Sequence, residues 1–206
     1  MVTLSNGHTL EYVTASGALG FDGKGWLYEK PWTRWPFTLI GRHDPHLFTI
    51  TLKSITRHPR EGNVKSDDFP WFGCFRALDG KGNALSEFDF YFQPRLVKGF
   101  LNAVGLKNCG IDEATKKYPR IIKQSGIKAI GSLYADTIED AVYIAKKFNE
   151  WPLVGLEINV SCPNSGENIA ANSVFIMTLC EEIKRVSKFP LMLKLSYEND
   201  IISIVR

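Results

Sequence analysis

The sequence predicts an α/β protein built as the N-terminal portion of a (β/α)8 TIM barrel, with about five of the eight strands present. Three observations carry this reading. Short apolar β-forming runs alternate with helical periods from Asp112 onward. Several apolar runs along the chain end on a polar residue, at Lys53, Asn159 and Lys194, and this architecture gathers its chemistry at the carboxyl ends of its strands. Finally, a complete barrel needs about 250 residues, whereas this chain has 206 and places many of them in loops. The expected organisation is a single partial barrel domain over 1–206, with insertions around 21–45 and 64–97.

Composition narrows the classes of function. At 44% hydrophobic and 23% charged residues the chain is globular. Its net charge of +3 is spread without a basic block, so no nucleic-acid partner is expected. The cysteines at 74, 109, 162 and 180 show neither paired metal spacing nor a compact disulfide framework. No metal is expected, and a reduced, cytoplasmic setting fits best. No run approaches the length of a membrane span, and the N-terminus lacks a signal-like apolar core.

Taken in order, residues 2–13 read as a hairpin around Asn6-Gly7, the strongest short turn signal. The small residues that follow, Ala15-Ser16-Gly17, form a simple turn or a place where something approaches the backbone closely. Residues 21–45 are aromatic and irregular, with Pro31 and Pro36 against a long helix. The next strand, 47–52, ends at Lys53-Ser54. A lysine there is either at the surface or in contact with a ligand, because burying it alone is costly. Residues 64–97 are loop-rich, with Phe88–Phe92 alternating like a short strand. In Phe100–Gly110, Asn102 and the backbone at Gly105-Leu106 could cradle a small carboxylate.

Beyond this point the βα alternation is regular. A helix capped by Asp112 runs through Ser125 and stops at Gly126. Ile127–Leu133 is a strand, and Asp136 with Glu139 resembles a capping box for a second helix. A strand spans 153–160. A third helix covers about Asn172 to Lys188, with Phe175, Leu179, Ile183 and Val186 on one face. A last strand, 190–195, carries Lys194 near its end.

The most informative stretch is Gly155-Leu156-Glu157-Ile158-Asn159-Val160-Ser161-Cys162-Pro163-Asn164. An apolar strand stops at Pro163, which has no N–H to give to a sheet. Two carboxamides, Asn159 and Asn164, flank the thiol of Cys162. Carboxamides can hold a planar polar ligand through paired donors and acceptors, and a thiol of matched pKa can take a proton from it. A lone cysteine after a strand is more often a small buried hydrophobe, but the amide pair and the proline mark a shaped strand end.

Asn-Val-Ser-Cys-Pro-Asn resembles the signature of the dihydroorotate dehydrogenase family, in its soluble, cysteine-using class 1. Ala15-Ser16-Gly17, the string from Lys53-Ser54-Ile55-Thr56 to Pro59-Arg60-Glu61-Gly62-Asn63, and Asn102…Gly105-Leu106 are similar to further family segments. Lys107 departs from the pattern, standing where a proline is common. The resemblance implies FMN-dependent oxidation of (S)-dihydroorotate to orotate in pyrimidine synthesis, with Cys162 as general base. It implies substrate contacts from Lys53, Asn102, Gly105, Leu106, Asn159 and Asn164. Cofactor contacts would come from Ala15, Ser16, Gly17, Lys53, Ser54, Asn159 and Lys194. It also implies fumarate or an NAD-linked iron–sulfur subunit as electron acceptor, and a homodimer. The glycine-rich phosphate loops that the family carries near its C-terminus are missing from this sequence, so a barrel cut before its last strands is expected. Two alternatives remain open: a dihydropyrimidine dehydrogenase-like flavin barrel, and a non-catalytic half barrel that needs a partner.

Overall fold

The computed structural model describes residues 1–18, 20–21, 44–63, 75–86, 89, 92–102, 104–161, 172–196 and 204. They fall into two compact units, 1–59 with 109–206, and 60–108.

The first unit is organised by a parallel sheet of β3 (Thr49–Thr51), β6 (Lys128–Leu133), β7 (Gly155–Asn159) and β8 (Leu191–Lys194). Spatial order follows chain order, β3-β6-β7-β8. Val13 adds a parallel bridge to Thr49, so a fifth segment precedes β3 in the same sense. A doubly wound sheet would reverse this order at its first strand. An unbroken sequential order is instead the winding of a (β/α)8 barrel, and this sheet is an arc of one. Four of the five expected strands, at 47–52, 127–133, 153–160 and 190–195, are these, and the fifth, around 10–14, is represented by the Val13 bridge.

Each connection between the later strands is a helix whose apolar stripe faces the sheet. Helix α1 (Ile111–Ser125) buries Ile111, Ala114, Tyr118 and Ile122, a spacing of three and four. It ends where Gly126 takes the left-handed conformation, φ 67°, and donates its N–H to Ile122 O. Asp112 does not cap this helix. The N-cap position is Gly110, with no side-chain bond, and Asp112 sits in the first turn, where its carboxylate accepts from the Tyr143 hydroxyl at 2.7 Å. Helix α2 (Ile138–Phe148) is capped by Thr137, whose Oγ1 accepts from Asp140 N. The predicted box beginning at Asp136 is thus shifted by one residue, because Asp136 accepts from Tyr134 Oη instead. Helix α3 (Ser173–Val186) is capped by Asn172 and buries Ile176, Leu179 and Ile183. Phe175 and Val186 flank that stripe, half-buried.

The N-terminal hairpin, β1 (Val2–Thr3) with β2 (Thr9–Leu10), is antiparallel as the Asn-Gly signal predicts. It lies at the amino ends of the sheet strands. Asn6 Nδ2 donates to Val154 O at 2.9 Å, and His8 Nε2 lies 3.1 Å from Thr49 Oγ1.

In the second unit, β4 (Phe75–Leu78) pairs antiparallel with β5 (Gly99–Asn102). Residues Asp89 and Phe92 are helical, not the alternating strand expected over Phe88–Phe92. Ser86 Oγ receives Asp89 N at 3.1 Å and Gln93 N returns to Asp89 O, which closes a helical turn. Among the described residues no helix is long and apolar enough to cross a membrane, and no group of His, Cys, Asp and Glu is arranged to hold a metal.

Candidate active site at the strand ends

Side chains alternate along a strand, so β7 divides itself. Leu156 and Ile158 point one way; Glu157 and Asn159 point the other. The parallel register puts Ser132 opposite Glu157 and Lys194 opposite Asn159. Ser132 is fully buried, and Ser54 and Asn159 are nearly so. Polar groups this deep need partners, and they find them in one another.

The hydrogen bonds form a directed chain. Ser132 Oγ donates to Glu157 Oε1 at 2.8 Å, which uses its only proton. The 2.8 Å contact between Ser54 Oγ and Ser132 Oγ must then be a donation from Ser54. Ser54 Oγ in turn accepts from Asn159 Nδ2 at 2.8 Å. Ser16 Oγ joins this cluster, 2.9 Å from Ser54 Oγ and 3.0 Å from Leu52 O. Polarity therefore runs from the carboxamide through two hydroxyls to the carboxylate.

Asn159 is fixed from its other side as well. Its Oδ1 accepts from Ser161 N at 3.2 Å and from Ser161 Oγ at 2.8 Å. A backbone N–H only donates, so the amide cannot flip without setting two donors against each other. Both oxygen lone pairs and one N–H are engaged. The second N–H has no acceptor among the described residues, and Asn159 is 6% exposed. It is a buried donor ready for a ligand acceptor. Burial pushes the Glu157 carboxyl above its ordinary value, opposed by the Ser132 hydrogen bond and the positive charge of Lys194.

The sites named from sequence divide three ways. Ser16, Ser54 and Asn159 share the hydrogen-bonded cluster, with Lys194 beside Asn159 in register. Gly17, at φ 77°, donates its N–H to Thr51 O, and a β-carbon placed on it would lie 3.5 Å from Lys53 Cα. Ala15 is exposed just before it and Lys53 is half-buried just after β3. In the other unit, Asn102 ends β5, while Gly105 (φ 71°) and Leu106 (φ 55°) form a left-handed turn. Leu106 is a non-glycine residue in a region that costs side-chain-bearing residues about 1 kcal/mol or more. Its carbonyl accepts from Asn108 Nδ2 at 2.7 Å. Cys162 and Asn164 lie outside the described residues.

Two members of the cluster escaped the sequence reading: Ser132 and Glu157. The signal for Glu157 was its spacing, two residues before Asn159 and therefore on the same face. Ser132 stands out only as the one hydroxyl inside an apolar strand.

A family model described as "Dihydroorotate dehydrogenase" matches residues 92–205, more than half of the chain. The chain belongs to the dihydroorotate dehydrogenase family. Several curated relatives carry the name "Dihydroorotate dehydrogenase B (NAD(+)), catalytic subunit". One from Thermoanaerobacter sp. (strain X514) is 35% identical over 156 residues, covering 73% of this chain and 42% of the relative. Another from Methanocaldococcus jannaschii is 32% identical over 140 residues, covering 63% and 45%. A third, from Fusobacterium nucleatum, is 34% identical over 121 residues, covering 55% and 40%. This dihydroorotate dehydrogenase homologue thus spans less than half the length of the relatives it matches. The family is built on the TIM barrel, in agreement with the sequential parallel order of β3, β6, β7 and β8.

Proposed function

We propose that this protein belongs to an FMN-dependent enzyme that oxidises (S)-dihydroorotate to orotate in pyrimidine biosynthesis. The observation that carries the reading is the pair of donors at the carboxyl ends of β7 and β8. Asn159 has one N–H without an acceptor among the described residues and no acceptor capacity left, and Lys194 stands beside it in register. Flavin and orotate rings both present carbonyl oxygens and electron-rich nitrogens, so a donor set of this kind fits them. When bound, FMN supplies the two-electron acceptor chemistry.

Ala15, Ser16, Gly17, Lys53, Ser54, Asn159 and Lys194 would hold the flavin. The small side chains at 15–17 leave room for a flat ring, and Lys194 would stabilise negative charge on it. Lys53, Asn102, Gly105, Leu106, Asn159 and Asn164 would orient the substrate, with Asn159 donating to a ring acceptor. Cys162 would remove the proton at C5 as general base, so the rate rises with pH until its thiolate forms.

The names of the relatives favour an NAD-linked electron-transfer subunit over fumarate as the route for electrons. A homodimer in the cytoplasm is the assembly and setting we assign to it. The test is made on the full-length gene product. It should purify yellow with bound FMN and bleach on addition of dihydroorotate, and Cys162→Ala should slow that bleaching by about a hundredfold or more. A flavin-free protein, or bleaching by dihydrouracil but not by dihydroorotate, would overturn the proposal.

A further inference from the structure

Glu157 is a titratable group on the inner face of β7 to which the proposed chemistry gives no task. One carboxylate oxygen accepts from Ser132 Oγ at 2.8 Å, and the other has no donor among the described residues. On β8, Met192 stands opposite it and is apolar, and Lys194 is the charged side chain that acts on it. On β6, its neighbour Ser132 is neutral. Two hydroxyls, Ser132 and Ser54, connect the carboxylate to the Asn159 amide by successive 2.8 Å hydrogen bonds. A carboxyl group therefore stands on the inner face of the sheet, linked by hydrogen bonds to the donor that would receive an anionic ring.

We infer that Glu157 takes up a proton when an anionic ring carboxylate binds at these strand ends, so that ligand binding and protonation of this side chain are coupled. The inference rests on the proposed function, which identifies that anion as orotate. A second negative charge entering a water-poor site disfavours an ionised carboxylate already there. The attraction of Lys194 would then be shared between two anions. Burial moves Glu157 toward its protonated form, in the same direction as the incoming anion. One solvent proton joins the open oxygen, which becomes a hydroxyl; the oxygen bonded to Ser132 keeps its partner, and no other bond changes.

By linkage, orotate affinity should fall as pH rises through the Glu157 transition. The experiment is calorimetric titration of the FMN-loaded full-length protein with orotate, in two buffers of different ionisation enthalpy. It spans roughly pH 5 to 8, the range above the ordinary carboxylate value. Wild type should take up a fraction of a proton, up to one, per orotate bound. In Glu157→Gln the buffer-dependent heat should vanish, the pH slope should flatten, and binding at the high end of the range should be at least as tight as in wild type. A merely structural role would instead weaken binding at every pH. Ser132→Ala keeps the carboxylate but removes the donor that favours its charged form, so the uptake should persist with its midpoint moved to higher pH. The four histidines are common to all three proteins. Orotate binding without proton uptake in wild type, or equal uptake in Glu157→Gln, overturns the inference alone. Absence of any orotate binding overturns the functional reading and this inference with it.

Discussion

On β7, Leu156 and Ile158 are sealed at 0% and 1% exposure, while Glu157 and Asn159 between and beside them carry the polar cluster. The outer face is held by shape. The space a side chain at Gly131 would need is filled by Leu153 Cδ1 at 2.8 Å, Leu156 Cδ2 at 3.0 Å and Phe148 Cε2 at 3.4 Å. The inner face is held by direction, since each hydroxyl has one proton and gives it toward Glu157. Close packing tolerates exchange of one hydrocarbon for another of equal volume. A directed chain does not tolerate the loss of a single donor. A single strand therefore carries two faces that should fail in different ways.

Four experiments test that contrast, from the largest expected effect to the smallest. Leu156→Ala should open a cavity on the buried face of the sheet and cost about 2–5 kcal/mol, read as a lower denaturant midpoint with unchanged slope. Asn159→Asp keeps one oxygen for Ser161, and Ser54 can turn its proton to the other, so it should cost less stability than Leu156→Ala. It loses both N–H donors, however, and orotate binding should weaken about ten- to hundredfold by calorimetry. If Asn159→Asp unfolds the protein as Leu156→Ala does, the division between the faces is wrong. Gly131→Ala should cost about 1–3 kcal/mol through overpacking, with ligand affinity preserved in the folded fraction.

The smallest effect concerns the pH dependence of stability. Glu157 has a raised folded pKa, so the native state binds its proton more tightly than the unfolded chain does. Stability from this group is then present at low pH and declines as pH rises from the ordinary carboxylate range through the raised folded value. Glu157→Gln should remove that decline, so the variant gains on wild type as pH rises. Denaturant melts at acid and at neutral pH compare the two. An equal pH slope in both proteins would remove Glu157 from the list of groups that shape stability.

Much of the architecture could be read from local pattern. Apolar runs and helical stripes marked β3, β6, β7, β8 and helices α1, α2 and α3, because burial on one face imposes a period that the sequence must carry. Boundaries were harder where two residues compete for one role. Asp136 and Thr137 both suit an N-cap, and the hydroxyl of Tyr134 decides between them by engaging Asp136. The alternating aromatics of Phe88–Phe92 read as a strand, although Ser86 three residues before Asp89 is itself a helix-start signal, and that local bond prevailed. In the candidate site, Ser16, Ser54 and Asn159 stood out through their motifs, whereas Ser132 had no motif to announce it.

Sequence alone determined the alternation of strands and helices, the hairpin turn at Asn6-Gly7, and the family to which the strand-end motifs point. These follow from periodicity and backbone preference, which act over a few residues. Tertiary structure alone decided that Ser54 and Ser132, 78 residues apart, would share a hydrogen bond. It also decided that Glu157 would terminate a proton-ordered chain and that Asn159 would have one N–H without an acceptor among the described residues. The reason is register: parallel strands are joined through a long crossover, and the alignment of β6 against β7 chooses which side chains face each other.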